Sequence, residues 1–507
     1  FIGHQVADAT MTADADENTA VGHLALSGLT SGEKNISIGS YSGINITSGD
    51  ENVLIGRSSG NAFNSSDLVA VGTLTLASIS DAATDGTVAV GYKALTALTS
   101  GAGNLAVGYE ALLSEDTGDG NTAVGYRALK LCNGANDNGN TAVGYTALSN
   151  LTGGIKNTAM GYQAGLNIIG GTNNTAVGYN ALYTEDEGDY NTAIGDYALY
   201  LQNVGSGAGN NVGIGRNAGY NNVTGTDNTY VGTSAGTGGT GNNSNNVGVG
   251  SGALTAITDG GRNVAIGKDA FVSLTGGLYN VAIGYQAGYG TVSADTNTFI
   301  GYQAGYAITA SGNVVIGRQA FATASSVVNN VCIGHHAMQA VPSGQAINNC
   351  VSIGYQALHG SASTTTGIDG TVAIGKDALT ALTTGAGNVA VGYQAGLLET
   401  TGAQNTFIGY GAFKAGDAGE AGNTVIGYNA GSAINDATSD NNTIVGNEAA
   451  IGGVAAMKNV VVIGSGAMIG SAGNAQDGTV AVGRSALTAL TSGAGNVAVG
   501  YEALLSE

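Results

Sequence analysis

The apolar positions of this chain recur around one short motif, a Val/Ile-Gly pair used twenty-nine times. With the Gly as reference, the motif falls at Gly3, Gly22, Gly39, Gly56, Gly72, Gly91 and so on to Gly483 and Gly500. Fifteen of the twenty-eight intervals are seventeen residues long, and the rest span sixteen to twenty-one. The residue before the Gly is Val or Ile in every repeat but one, where Met160 stands. Two residues further back, each of the last twenty-eight repeats has Thr, Val, Ile or Leu. The two positions share parity, so a strand presents them on one side, and β-branched residues suit such a surface. Between them lies a residue that is usually Ala (Ala123, Ala142, Ala176) and in places Phe299, Phe407 or Tyr230. A strand apolar on both faces is buried on both. One face fills the inside of a coil, and the other needs a cover from the coil itself or from another copy of the chain.

The polar positions are as regular. Four residues before the Gly, Asn occurs in twenty-two of the last twenty-eight repeats, as in Asn18, Asn35 and Asn140. Asn tolerates turn conformations, and amides stacked at one corner of successive coils make a hydrogen-bonded ladder. The Gly supplies a bend that a Cβ would block. Three residues after it, twenty-five of these repeats have Ala, which marks a corner too tight for a larger side chain. In two representative coils the defining residues are Asn121, Val124, Gly125 and Ala128, and Asn174, Val177, Gly178 and Ala181. The position directly after the Gly is Tyr thirteen times and otherwise mostly polar (His23, Arg57, Lys268), which predicts a solvated outer stripe.

Insertions sit in the segment before the motif, as in Leu131 to Asn138 and Ser361 to Asp369, and so mark a loop on one edge. The seventeen-residue coil reads as a short strand, a corner, a second short segment such as Ala94 to Leu98, and a Gly/Asn/Asp return turn. The Ala-Leu pieces are too short to hold as isolated helices. The fold class is therefore all-β, a parallel β-solenoid of about 29 coils over residues 1–507. At about 4.8 Å per coil this is a rod roughly 140 Å long. One coil buries two or three branched side chains at about 1.5–3 kcal/mol each, while ordering its backbone costs about 1–2 kcal/mol per residue. Stability must come from ladders, stacking and chain–chain contact. Blocks of coils are also duplicated: Asp85 to Tyr126 resembles Asp369 to Tyr410 and Asp477 to Glu507, and only interchangeable units tolerate such copying.

Composition narrows the function classes. Gly is present 88 times and Pro once, without the three-residue period of collagen. The net charge of −21 argues against nucleic acid and anionic membranes as partners. No apolar run reaches the length of a membrane-spanning helix, so no membrane insertion is expected. The first residues, Phe1-Ile2-Gly3, resemble the end of a repeat strand, and the chain ends partway through another, so the expectation is a segment of a longer polypeptide, or a processed one. Three cysteines (Cys132, Cys332, Cys350) form no metal or disulfide pattern, and Cys332 sits where Ala is usual, as a small buried residue.

The strings Asn121 to Tyr126 and Asn174 to Leu182 resemble the repeats of bacteriophage tail-fibre and capsid-fibre proteins. They are similar also to the head repeats of trimeric autotransporter adhesins. The resemblance covers essentially the whole chain. It implies a homotrimer of parallel β-rolls displayed outside a virion or a bacterial cell. Its implied partners are itself, other virion or fibre proteins, and a host surface glycan or protein at a tip.

No catalytic constellation is found, and no enzyme activity or cofactor is expected. The five histidines lack ligand spacing; three occupy the outer stripe, and His335-His336 should point to different sides of a strand. The acidic turns Glu115/Asp116/Asp119 and Glu185/Asp186/Glu187/Asp189 read as solvated loops, with calcium as the competing reading. The Thr column (Thr122, Thr141, Thr158, Thr175, Thr192) has the composition of a flat ice-binding face, but its alternation with Val suits a buried position. The leading expectation is the shaft of a phage fibre, a rigid spacer that displays a receptor-binding tip for host attachment. The alternative is a cell-surface adhesin that binds a host or matrix ligand along its length. A glycan-cleaving tailspike would need paired carboxylates in a groove, and here the acids sit in turns.

Overall fold

The computed structural model describes residues 1–506 except 62–63, 81–83, 135–138, 346, 361–364, 417–418, 453–455, 471–475 and 491–492. The insertions Leu131 to Asn138 and Ser361 to Asp369 fall partly on 135–138 and 361–364, outside the described residues. The chain divides into two compact units, Phe1–Gly252 with Ile257–Asp259, and Ala253–Ala256 with Gly260–Glu507. Each is a parallel β-solenoid with the seventeen-residue period, about 27 turns between them, and there is no helix among the described residues.

Every Val/Ile-Gly motif beyond the first contributes a three-residue strand, from Thr19–Val21 to Val247–Val249 in the first unit and from Val264–Ile266 to Val497–Val499 in the second. Within each unit the strands stack parallel and in register. Thr175, Ala176 and Val177 lie between Thr158, Ala159 and Met160 of the preceding coil and Thr192, Ala193 and Ile194 of the next. Phe1-Ile2-Gly3 makes only a bridge from Ile2 to Val21. A second, minor ladder pairs Gly188–Asp189 with Gly207–Ala208.

The structure decides which strand face is inside. The middle residue of each strand is buried and its two neighbours are half-buried or exposed, so Ala123 and Ala176 point inward while Val124 and Val177 point out. A small residue is usual there because the same interior also holds the side chains that follow the Gly. Ala128 and Leu129, and Ala181 and Leu182, are fully buried. The Thr column therefore does not occupy the buried position expected of it: Thr122, Thr141, Thr175 and Thr192 are half-buried and Thr158 is exposed, all on the outward face.

In two coils a large inward aromatic is matched by a missing side chain elsewhere in the same coil. The fourth residue after the Gly is commonly Leu, but it is Gly236 in the coil of Tyr230 and Gly305 in the coil of Phe299. A Cβ on Gly236 would lie 2.2 Å from Tyr230 Cδ1, and one on Gly305 2.6 Å from Phe299 Cδ1. We expect Gly236→Leu alone to cost about 1–3 kcal/mol by overpacking. The pair Gly236→Leu with Tyr230→Ala restores the common arrangement and should recover most of that loss. Additive losses, read from amide hydrogen exchange in this coil, would contradict the pairing.

The segment after the Gly is a run of turns, still hydrogen-bonded from coil to coil. Alternate residues are left-handed, as at Asn180 (φ 51°) and Leu182 (φ 51°). This alternation sends successive amides in opposite directions. Asn180 N–H donates back to Tyr162 O at 2.9 Å, and Leu182 N–H donates forward to Ala198 O at 2.9 Å. A left-handed Leu costs roughly 1–2 kcal/mol, offset by its buried side chain and its inter-coil bond.

The Asn ladder is present. Asn121 N–H donates to Asn104 Oδ1 (2.9 Å), Asn157 N–H to Asn140 Oδ1 (2.9 Å), and Asn174 N–H to Asn157 Oδ1 (2.9 Å). Many of these amides also reach forward to the turn of the next coil, as Asn157 Nδ2 to Gly171 O at 2.7 Å and Asn174 Nδ2 to Gly188 O at 2.8 Å. The column is interrupted three times, always by an apolar residue followed by Thr: Leu68 and Thr87, Cys350 and Thr371, Val460 and Thr479. The hydroxyls of Thr87, Thr371 and Thr479 are buried without a hydrogen-bond partner.

Candidate functional site

Three features face solvent along the coils: the outward strand face, the stripe after the Gly, and the return turns. On the first, Ile38 (39 %), Met160 (49 %) and Ile266 (40 %) are among the most exposed side chains, and in most coils the two outward residues are half-buried. Within each unit these outward side chains, mostly Val, Ile and Thr, repeat in register as a partly exposed face.

The stripe after the Gly forms ordered ring stacks. In the first unit Tyr92, Tyr109, Tyr126, Tyr145, Tyr162 and Tyr179 follow one another with ring centroids 4.9–5.3 Å apart and planes within 20° of parallel. The spacing is that of the coils, so the ring faces cover one another while edges and hydroxyls meet solvent. A shorter second column, Tyr183, Tyr200 and Tyr220, stacks beside it at 5.0–5.1 Å. Cations lie over several rings: Arg127 over Tyr126 at 5.0 Å and Lys376 over Tyr393 at 5.3 Å. Arg127 Nε also donates to Glu110 Oε2 at 2.8 Å.

His335 and His336 do not diverge as a strand would require. They follow Gly334, past the end of the strand Val331–Ile333, and their rings stack with centroids 3.8 Å apart. His336 ends an amide ladder. Gln303 Nε2 donates to Gln286 Oε1 (2.9 Å) and Gln319 Nε2 to Gln303 Oε1 (3.1 Å), which leaves Gln319 Oε1 to accept from His336 Nε2 at 3.2 Å. Arg318 donates to His335 Nε2 at 3.2 Å. Burial first, then His335, Arg318 and His359, hold His336 below the usual imidazole range. Among the described residues no group of three His, Cys, Asp or Glu side chains is arranged to hold a metal ion.

The return turns depart from the solvated loops expected. Glu115 and Glu185 are fully buried, each at a position seven after the Gly that other coils fill with Leu98 or Leu151. Their carboxylates brace the turn: Glu115 Oε1 accepts from Gly118 N–H (2.7 Å), and Glu185 Oε1 from Gly188 N–H (2.9 Å) and Asp186 N–H (3.1 Å). Asp119 and Asp189 accept backbone amides of the preceding coil, Ala102 at 2.6 Å and Thr172 at 2.7 Å. Glu399 repeats the device on Gly402 N–H at 2.7 Å. No sequence signal beyond the break in the Leu column marks these glutamates.

Burial, only partly opposed by these backbone bonds, raises Glu185 from 4.5 to about 6, and burial with neighbouring Glu420 raises Glu399. A carboxyl raised in the folded state favours its protonated form there. Its contribution to stability is complete below about pH 4.5 and is lost as pH rises through about 6. The loss for Glu185 is about 2 kcal/mol, from roughly 1.4 kcal/mol per pKa unit. Glu185→Gln should be more stable than the parent by that amount at pH 8 and equal to it at pH 4. Chemical denaturation at both pH values checks this; an unchanged difference between them would contradict it.

The defining residues divide by role. Asn121 and Asn174 carry the ladder, Gly125 (φ 136°) and Gly178 (φ 137°) carry the bend, Ala128 and Ala181 pack inside, and Val124 and Val177 face out. The three cysteines are buried and form no disulfide, and burial pushes the Cys350 thiol up to about 11. No helix among the described residues is long and apolar enough to cross a membrane. Together these features define the class, a β-solenoid repeat protein. No protein-family model matches the chain, and a search of curated proteins returns no significant match.

Proposed function

We propose that the chain is the shaft of a phage fibre: a homotrimer of parallel solenoids that holds a receptor-binding tip away from the virion and joins other fibre proteins. The observation that carries this reading is the outward strand face. Its columns of Thr, Val and Ile stay half-exposed on one chain, and at about 25 cal/mol per Å² covering them over many coils is worth several kcal/mol. A common axis lined by these columns covers the same face on every copy. The repeats that resemble phage fibres support the setting. Rigidity and length are the function, and no single residue carries it.

Light scattering of the soluble chain in buffer with a chelator should give a mass of three chains. Val143→Asp with Val177→Asp places charge on the outward face only, so it should separate the copies while leaving coil stacking intact. A single-chain mass for the parent overturns the trimer. Peptides of the chain should be found in purified virions. A second reading, a bacterial surface adhesin, is favoured by the exposed tyrosine stripe; recovery from cell envelopes in place of virions would select it.

A further inference from the structure

We infer that the tyrosine stack from Tyr92 to Tyr179 is a lengthwise binding site for an extended anionic glycan, one bearing sulfate or carboxylate groups. This goes beyond the shaft reading and does not depend on it. Five of the six rings are 41–46 % exposed. They present phenolic hydroxyls at one coil spacing, about 4.8 Å, which is close to the advance of one sugar in an extended glycan. Ring faces are occupied by neighbouring rings, so recognition falls to edges and hydroxyls, with hydrogen bonding to successive sugars in place of stacking. A half-buried side-chain amide flanks the row at Gln163, directly after Tyr162.

Charge selects the anionic class. In the six coils of this stack, the residues just after the Gly carry three cations, Lys93, Arg127 and Lys130, and one acid, Glu110. Arg127 and Lys130 both approach Glu110, at 2.8 and 3.8 Å, and Lys93 sits 5.4 Å over the Tyr92 ring. Positive charge therefore remains on this stripe, although the chain as a whole is at −21. The other acids of these coils belong to the return turns, as Asp116 and Glu187 do. Salt then acts in two directions. At very low ionic strength the distant acids repel the ligand, near 0.15 M the screening length of about 8 Å leaves the local cations dominant, and at 1 M those too are screened.

The test is calorimetric titration of the full chain with three hexasaccharides: a sulfated one, a polyuronate and a neutral β-linked glucan. Binding of the sulfated or the uronate ligand, strongest at intermediate salt, is expected, and comparing the two identifies which anion is preferred. Tyr126→Phe with Tyr145→Phe keeps the ring stack and removes two hydroxyls, and should weaken binding about tenfold. Lys93→Gln with Lys130→Gln should weaken it by a similar factor. Tyr190→Phe, on a return turn, should change nothing. No binding of either anionic ligand at millimolar concentration, equal binding of the neutral glucan, or affinity indifferent to the stripe substitutions each overturns the inference. Circular dichroism of every variant confirms that the coils are intact, and the parent's native mass reports separately on the trimer.

Discussion

Replacing Gly178 with alanine is expected to remove more than about 4 kcal/mol of local stability, the range reserved for strained or clashing backbone. Two independent terms add. The residue sits at φ 137°, which L-residues rarely adopt, and its Cβ would stand 2.5 Å from the carbonyl oxygen of Gly195 and 2.6 Å from its carbon. Those atoms are backbone, held by the next coil, and have no rotamer to escape into. The reference is Gly120→Ala, at φ 64° with open space around it, where about 1 kcal/mol is expected. Hydrogen exchange resolved by coil should show protection lost around Thr158–Met160 and Thr192–Ile194 in the first variant, with distant coils retained. Equal effects of the two substitutions would refute the stacking argument.

The second large effect is expected at the amide ladder. Asn157→Leu keeps the branched shape but leaves two buried groups without a partner, Asn174 N–H and Gly171 O, and removes one of the two contacts of Asn140 Oδ1. At about 1–3 kcal/mol for an unsatisfied buried group, a loss of about 3 kcal/mol follows. The chain itself accepts Leu in this column at Leu68, and there the next rung is Thr87 instead of Asn. Asn157→Leu combined with Asn174→Thr should therefore recover more than about 1 kcal/mol relative to additivity. Strict additivity would show that the rungs act alone.

Much of this architecture was legible because one physical solution is written out nearly thirty times. The parity of Ala176 between Thr175 and Val177 announces a strand, and the invariant spacing from Asn174 to Gly178 announces one corner stacked on another. What parity cannot say is which face is inside. Intuition puts the larger Val and Ile in the core, but the core was already filled by Leu182 and its equivalents, so Ala went in and Val177 went out. The turn run was hidden for a different reason. Leu182 belongs in a helix or strand by propensity, and its left-handed backbone is imposed by bonds to neighbouring coils. Glu185 was misread as solvated because acidic residues in a Gly-containing turn usually are; its place in the Leu column was the available signal. The exchange of Gly236 for a side chain beside Tyr230 was also on the page as sequence, in two positions six residues apart that must be read together.

The three interruptions of the Asn column have a mechanical meaning. Elsewhere most coils are riveted to the next by a buried amide, but at Leu68–Thr87, Cys350–Thr371 and Val460–Thr479 that rivet is missing and a hydroxyl sits idle beside the gap. A stack of equal layers fails at its weakest plane. Under tension or heat these solenoids should cleave there first, like a crystal along its faults, into slabs whose internal stacking survives.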